Sequence, residues 1–407
     1  MSSPIQVNCH HCGALYRRVP LAPAQWARCL RCDEVLENYS AFNPAAWLAI
    51  IIAAIITFLV ANMFAVATLS FQGSAQATTF LGAVRATWYA GYPEVSVLTG
   101  LVGFVLPLSM LLLLAAVFVP LTLGWAPRYF DVALRLLGWI RPWCMVPVFL
   151  LGALVAVVKL VDLAQLTLGL GLYATAASAV LFTAFSRLSP DKVRLMAIDT
   201  GAPVAPPKLE KAPSPACLPK AWALLLAAAI LYIPANALPV MTITVINGSS
   251  GHTILGGVIE LAQMGSWDIA AVVFIASVFV PLLKILSLAT LFWFTQRRST
   301  TGLKHRTRMF RLVEAIGQWS MLDVFVVILL VSLGQFGRLL NIEPGGGAVA
   351  FGAVVVLTML SAMSFDPRLS WRVAGYRREI AQPADPTSLA VNRADDKGGR
   401  QAQPVNI

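Results

Sequence analysis

Charged side chains are scarce in this chain. Asp, Glu, Lys and Arg make up 12% of its 407 residues, whereas they make up about 25% of a typical soluble domain. Hydrophobic residues reach 58%, and the mean hydropathy is +0.75. The composition therefore excludes an ordinary soluble protein and indicates that lipid surrounds much of the surface.

Motifs of enzymatic chemistry are missing as well. The sequence has no nucleophile elbow, no phosphate-binding loop, no HExxH helix and no dinucleotide fingerprint. Its four histidines, at positions 10, 11, 252 and 305, do not follow a metal-binding pattern. We therefore expect that the protein is not an enzyme, and no residue is assigned a catalytic role.

Eight apolar stretches are long enough, or nearly so, to cross a hydrocarbon core of about 30 Å. They lie near residues 46–67, 97–124, 143–161, 166–186, 220–242, 267–294, 319–338 and 347–364. A polar, cysteine-bearing stretch precedes the first one, so residues 1–45 do not resemble a cleavable signal peptide. The sequence predicts an all-α polytopic membrane protein with eight transmembrane helices.

The distribution of basic residues predicts the orientation. Of the 30 Lys and Arg residues, 26 fall in segments that eight spans place on one side of the membrane. Because basic loops stay in the cytosol, both termini are expected to be cytosolic. Contact between span ends and anionic headgroups also explains the net charge of +11, so we expect no nucleic-acid partner.

Short motifs of the first half recur in the same order in the second half. They include AN at 61 and 235, PL at 107 and 281, and VF at 148 and 324. An even number of spans in each copy makes this a parallel repeat of two four-helix units. We place the units at 46–188 and 220–366, after an N-terminal module (1–45). A Pro-rich cytosolic linker (189–219) joins them, and a basic, then disordered, cytosolic tail (367–407) follows.

The two longer external loops are expected to hold short β and amphipathic elements. Thr242–Ile246 alternates β-branched residues and precedes Asn-Gly, which predicts a strand or hairpin. An amphipathic segment follows in each loop, at Leu81–Tyr89 and at Ile254–Met264. Each loop is therefore predicted to form a small outer cap.

The cysteines include two CxxC pairs. Cys9 and Cys12 form the first pair, and Cys29 and Cys32 form the second. Thiolates at this spacing on two tight turns can surround one tetrahedral ion, and a module this small needs the metal in order to fold. The pattern predicts a zinc ribbon that holds structural Zn²⁺. A redox-active iron site and a vestigial site are the alternatives.

Ionisable residues inside membrane spans are costly and are therefore functional candidates. Lys284 in the sixth span and Asp323 at the start of the seventh are expected at the same depth. Three hydroxyl residues share their helical faces or reach that depth, namely Ser277, Ser320 and Thr358. The alternative is a buried ion pair that only locks the two spans together.

The first unit lacks this polar set. The equivalent positions hold Gly103, Met110, Cys144, Pro147 and Phe182. A specialised site is therefore expected in the second unit. The first unit has its own pair, Lys159 and Asp162, for which contact with headgroups is an equal alternative. Asn62 and Asn236 occupy equivalent places and are expected to make a repeated structural hydrogen bond.

Six short motifs are spread along most of the chain. They are CHHC (9–12), CLRC (29–32), GSW (265–267), FVPLLK (279–284), WSMLDVF (319–325) and SFDPRLSW (364–371). Together they resemble the paraquat-inducible protein A family of Gram-negative inner membranes. Two features depart from that family: no second cysteine module precedes the second unit, and Pro147 stands where other members often have an acidic residue.

The resemblance implies a function. It implies an inner-membrane protein that passes phospholipid to or from a tunnel built by a periplasmic MCE-domain protein. It also implies a transport network, comprising Ser277, Lys284, Ser320, Asp323 and Thr358, with Lys159 and Asp162 as a second pair. A membrane anchor that holds the MCE protein without transporting lipid is the alternative, followed by a redox-responsive membrane protein.

Overall fold

The computed structural model describes most of the chain. The described residues are 5–18, 21–22, 25–39, 43–71, 74–161, 165–185, 188–207, 212–245, 248–263, 265, 267–317, 322–333, 340–376 and 390–393. Within these ranges the protein is mostly helical, with small antiparallel sheets.

Four short strands form the N-terminal module. Strand β1 (Gln6–Asn8) pairs with β2 (Leu15–Arg17), and β3 (Gln25–Arg28) pairs with β4 (Val35–Asn38). Each hairpin loop carries one CxxC pair. The last described strand, β11 (Ala390–Arg393), pairs with the other edge of β3. Residues 390–393 of the predicted tail therefore form a strand, and the division of the chain into domains with a disordered tail stays a prediction.

The first membrane half combines helices with one small sheet. Its elements are α1 (Pro44–Met63), β5 (Ala67–Phe71), β6 (Ser74–Thr78), α2 (Phe80–Tyr89), α3 (Pro93–Gly100), a π-helical segment (Leu101–Val105), α4 (Leu106–Thr122), α5 (Phe130–Ile140), α6 (Val146–Val161), β7 (Gln165–Leu168) and α7 (Leu170–Phe185). Strand β5 lies between β6 and β7. The cysteine module precedes α1 and the sheet follows it, so they lie at opposite ends of this helix.

After α8 (Pro190–Asp199), the second half repeats this order. Its elements are α9 (Cys217–Ala237), β8 (Met241–Val245), β9 (Gly248–His252), α10 (Ile254–Gln263), α11 (Trp267–Phe274), a π-helical segment (Ile275–Phe279), α12 (Val280–Gln296), α13 (Leu303–Gly317), α14 (Leu322–Leu333), β10 (Leu340–Pro344) and α15 (Gly346–Ser364), before α16 (Arg368–Val373). Strand β8 lies between β9 and β10. From β8 to α12, every element begins at the same offset in sequence from its counterpart in the first half.

Within the described ranges, six helices are long and apolar enough to cross a membrane. They are Pro44–Met63, Pro93–Thr122, Phe130–Val157, Cys217–Ala237, Ser277–Gln296 and Gly346–Ser364. Two shorter apolar helices, Leu170–Phe185 and Val324–Leu333, coincide with the two remaining predicted spans. The chain is therefore a polytopic membrane protein, and a total of eight spans stays a prediction.

Two predicted span boundaries are wrong. The fourth predicted span, 166–186, begins with a strand, because Gln165–Leu168 pairs with β5. The third, 143–161, becomes α-helical only at Val146, after a single 3₁₀ turn at Arg141–Trp143. Apolar content alone cannot separate a short buried strand from a helix, and the strand partner lies far away in the sequence.

Helix α14 joins the two halves. It packs against α2 and α6 of the first half. The rings of Phe80 and Phe149 lie 4.7 Å apart between centroids, and those of Phe149 and Phe325 lie 5.5 Å apart. The hydroxyl oxygens of Thr78 and Ser332 lie 2.6 Å apart. An aromatic cluster and one buried hydrogen bond therefore connect the halves.

Candidate functional site

The two CxxC loops fold as matching tight turns. The Gly13 N–H donates to the Cys9 carbonyl at 2.9 Å, and the Asp33 N–H donates to the Cys29 carbonyl at 2.8 Å. Gly13 and Asp33 both adopt left-handed backbone conformations, with φ of 73° and 61°. Glycine adopts this conformation without strain, whereas aspartate enters it only occasionally. Each turn directs two thiols to the same side.

All four predicted cysteines converge. The four Sγ atoms lie within 4.8 Å of one another, and every one of these cysteines is buried. The Sγ–Sγ distances of the pairs Cys9–Cys32 and Cys12–Cys29 are 3.5 Å. A tetrahedron with Zn–S bonds of about 2.3 Å has S–S edges of about 3.8 Å. The cluster therefore fits a tetrahedral thiolate-bound metal ion.

Two side chains, Tyr16 and His11, lie next to the four-cysteine cluster but are not among the predicted metal ligands. The Tyr16 hydroxyl lies 3.2 Å from the Cys29 Sγ, where it can stabilise a thiolate. His11 Nε2 lies 3.6 Å from a Glu34 carboxylate oxygen. Burial lowers the pKa of His11 to about 4, and the positive charge of Arg311 acts in the same direction. His11 is therefore neutral at physiological pH and is positioned by its neighbours.

Ser277 lies in an interrupted part of a membrane-spanning helix. Pro281 has no N–H, so the Ser277 carbonyl lacks the donor that a regular α-helix would supply. The chain forms a π-helical segment at this point, and the Tyr232 hydroxyl donates to the Val278 carbonyl at 3.0 Å. Such π segments are frequent at functional sites. Ser277 is fully buried, and its hydroxyl has no hydrogen-bond partner within the described part of the chain.

Lys284 lies two helical turns beyond Ser277. Its side chain is only 4% exposed, and its Nζ has no hydrogen-bond partner among the residues that the structure describes. A β-carbon added at Gly317 would lie 3.2 Å from this Nζ. The ammonium group therefore reaches the C-terminal end of α13, where backbone carbonyls and the helix dipole favour a positive charge.

The structure describes only some of the other residues of the predicted network. Thr358 is 2% exposed, and its hydroxyl donates to the Val355 carbonyl at 3.0 Å; its helix α15 contacts α12. Asp323 lies in α14 and Lys159 in α6, but their side chains are outside the description. Ser320 and Asp162 lie outside the described residues. The meeting of Lys284 with Asp323 stays a prediction.

The predicted asparagine bonds are confirmed. Asn62 Nδ2 donates to the Phe58 carbonyl at 2.7 Å, and Asn236 Nδ2 donates to the Tyr232 carbonyl at 2.9 Å. Both are bonds to the preceding helical turn. The two asparagines therefore have the same structural role in the two halves.

These features together define a class of membrane protein. The chain is a multi-pass membrane protein with a buried four-cysteine cluster and a buried lysine in a spanning helix. Its sequence matches the family described as Paraquat-inducible protein A over residues 45–194 and 218–374. The chain belongs to this family.

Relatives in other bacteria are similar along much of the chain. The "Intermembrane transport protein PqiA" of Escherichia coli K12 is 30% identical, over 90% of this chain and 95% of that protein. The "Lipophilic envelope-spanning tunnel protein A" of the same organism is 33% identical over 58% of this chain and 62% of that protein. A "Probable intermembrane transport protein" of Haemophilus influenzae is 41% identical over 39% of this chain and 38% of that protein. No solved structure matches.

Proposed function

We propose that this chain is the inner-membrane component of an intermembrane lipid transport system. It passes phospholipid to or from a tunnel formed by a periplasmic MCE-domain protein, and it catalyses no reaction. The observation that carries the proposal is the buried Lys284, whose Nζ has no hydrogen-bond partner within the described residues. An ammonium group buried inside a membrane protein is costly, and a lipid phosphate is an anion that would pair with it.

The neighbourhood of Lys284 suits such a ligand. Ser277 lies seven residues before it in the same continuous helix, and both side chains are buried. Its hydroxyl is also buried without a partner in the described part of the molecule. In the proposal, Ser320, Asp323 and Thr358 complete this network. Lys159 and Asp162 form a second polar pair, which lies near the periplasmic end of the route that we propose for the lipid.

The names of the relatives support transport between membranes. Two are described as intermembrane transport proteins, and one as an envelope-spanning tunnel protein. The MCE-domain partner itself follows from the family resemblance. Location in the inner membrane with both termini in the cytosol is supported by the 26 basic residues on one side of the predicted topology.

Eight transmembrane helices in two parallel four-helix repeats are the proposed architecture. Three observations support it. The halves share a sheet order, with β5 and β8 in equivalent central positions, and the elements from β5 to α4 recur at one constant offset in sequence. The family match also falls into two segments, one in each half.

Structural Zn²⁺ is the proposed occupant of the cysteine cluster, which thereby becomes a zinc ribbon. Its donors are Cys9, Cys12, Cys29 and Cys32, a thiolate-only set that favours soft ions and a closed tetrahedral site. All four are buried, which leaves no open position for a substrate. The ion would hold the two hairpins of the module together.

Lys284→Met tests the transport proposal. Met110 is buried at the equivalent place in the first half, so methionine suits this position in the fold. The purified variant would be reconstituted with its MCE partner, and transfer of a fluorescent phospholipid would be measured. Loss of the charge-assisted bond should reduce transfer by about tenfold or more. Arg297→Gln is the matched control, because Arg297 stacks on Trp293 at the exposed end of the same helix.

An unchanged rate of lipid transfer would favour the alternative, a membrane anchor that holds the MCE-domain protein without transporting lipid. If Lys284→Met inserts normally, retains the partner and transfers lipid at the wild-type rate, the transport proposal is wrong. The chain would then hold the tunnel without handling lipid. Co-purification of the partner with each variant separates loss of assembly from loss of transfer.

A further inference from the structure

We propose that the four-cysteine module is a metal-dependent strut that ties the two membrane halves together. The module contacts α8, which packs against the first half, and also α13 and α16, which belong to the second half. The inference rests on the proposed metal binding. It adds that occupancy of the cysteine cluster controls the contacts of the module with both membrane halves.

Arg18 makes the main contact with α8, beside an ion pair between His10 Nε2 of the first CxxC loop and Asp191 of α8 at 2.7 Å. Its guanidinium donates to both carboxylate oxygens of Asp199, at 2.6 and 2.8 Å, and also to Glu37 at 2.6 Å. Asp199 is the last residue of α8, and Glu37 belongs to β4. The hydrogen bonds that Arg18 donates to Asp199, followed by those that it donates to Glu37, raise the pKa of Arg18. One arginine thus joins both hairpins of the module to α8.

Helix α8 is itself fixed to the first half. Arg194 donates to Asp131 of α5 at 2.5 Å. Val193 and Ala197 are fully buried in the main apolar core. Movement of α8 is therefore coupled to movement of the first half, and Arg18 transmits this coupling to the module.

Arg311 makes the main contact with α13. Its Nη1 donates to Glu34 at 2.5 Å, and its Nη2 lies 3.5 Å from the Cys32 carbonyl oxygen. Glu34 and Cys32 belong to the second CxxC loop. The edge of the His11 ring, from the first loop, faces the ring of Phe310 at 6.4 Å between centroids. Both cysteine loops therefore contact one helix of the second half.

The metal ligands also share a small apolar core with the second half. The cysteines and Tyr16 are buried together with Leu303 of α13 and Trp371 of α16. Trp371 is held in place by a hydrogen bond from its Nε1 to the Thr307 hydroxyl at 3.0 Å. The Arg31 guanidinium lies over the ring of Tyr376 at 5.0 Å. These contacts place the module directly on the second half.

A module this small cannot keep its shape through apolar burial alone, so the metal supplies its folding energy. Loss of the metal should therefore weaken the contacts of the module with α8 and with α13 at the same time. Loss of Arg18 alone should release only α8, and loss of Arg311 alone should release only α13. This pattern distinguishes a strut from a module that rests passively on one half.

Hydrogen exchange of the full chain in lipid nanodiscs, read by mass spectrometry, tests the strut. With Cys29→Ser, amide exchange should become about tenfold faster in both α8 and α13. Arg18→Gln and Arg311→Gln should retain the metal and accelerate exchange only in α8 and only in α13, respectively. Should Cys29→Ser fail to fold, zinc removal from the wild-type protein by a chelator, followed by zinc addition, gives the same comparison.

Arg28→Gln is the matched control. Arg28 pairs with Asp33 inside the module, at 3.2 Å, and should leave exchange in both helices unchanged. The strut is overturned if metal removal leaves α8 and α13 fully protected, or alters only one of them. If metal analysis finds no bound ion in the wild-type protein, the zinc proposal fails first, and the arginine variants then test the contacts alone.

Discussion

A β-carbon at Gly103 would lie 2.4 Å from Cζ of Phe80, so these two residues leave no room for a side chain at position 103. The equivalent position in the second half holds Ser277, and Ile254 stands there in place of Phe80. The first half therefore cannot carry the buried serine of the second half. The absence of a serine at this one position therefore has a steric reason.

Gly103→Ala should therefore destabilise the protein. Overpacking a membrane core at this distance costs about 1–3 kcal/mol, which is measurable as a lower midpoint of thermal unfolding in detergent. Phe80→Ile should cost less in the Gly103→Ala protein than in the wild type, because it removes the ring that the added methyl group overlaps. Gly257→Ala is the control, since a β-carbon there meets nothing within 4 Å. A Gly103→Ala protein as stable as the wild type would contradict the steric explanation.

Gly317 provides the space that Lys284 occupies. Because an added β-carbon would lie 3.2 Å from Nζ, Gly317→Ala should displace the ammonium group slightly, and Gly317→Val should displace it further. Lipid transfer should fall in that order, by about fivefold or more for valine, since overpacking of about 1 kcal/mol corresponds to this factor. Transfer assays on variants with equal amounts of inserted protein measure the effect. Equal transfer by all three proteins would show that the position of Nζ is unimportant.

Some of this site could be predicted from the sequence. The cysteines were found because spacing along the chain determines which thiols share a turn. Lys284 and Ser277 were found because polar residues are conspicuous in an apolar span. The third strands, β7 and β10, were not found, because their partners lie far away in the chain. Nor could the sequence indicate that Phe80 fills the space beside Gly103.

The contacts of the cysteine module with the two membrane halves could not be predicted from the sequence either. Arg18 and Arg311 are two of several basic residues outside the spans, and no local pattern separates them from residues that only contact headgroups. Their carboxylate partners, Asp199 and Glu34, lie 181 and 277 residues away in sequence. Contacts of this kind depend on how complete helices pack, which spacing along one helix does not report.

Metal content should follow the four cysteines and no others. The purified protein should contain about one zinc ion per chain and no stoichiometric iron, because a closed thiolate site of this size binds one tetrahedral ion. Cys29→Ser should lower the zinc content several-fold, whereas Cys217→Ser should leave it unchanged. Elemental analysis of both variants makes the comparison. Iron at one equivalent would favour the redox alternative.

The bond between Thr78 and Ser332 should stabilise the contact between the halves. Both residues are buried, with exposures of 2% and 4%, so removing either hydroxyl leaves its partner without a hydrogen bond in apolar surroundings. Thr78→Val and Ser332→Ala should each cost about 1–2 kcal/mol of unfolding free energy. The double variant should lose less than the sum of the two, because the second substitution removes an already unpaired group. Ser109→Ala is the control, since this half-buried hydroxyl donates to the Val105 carbonyl of the preceding turn of its own helix. Strictly additive losses would mean that the two hydroxyls act independently and that the aromatic cluster alone holds α14 against the first half.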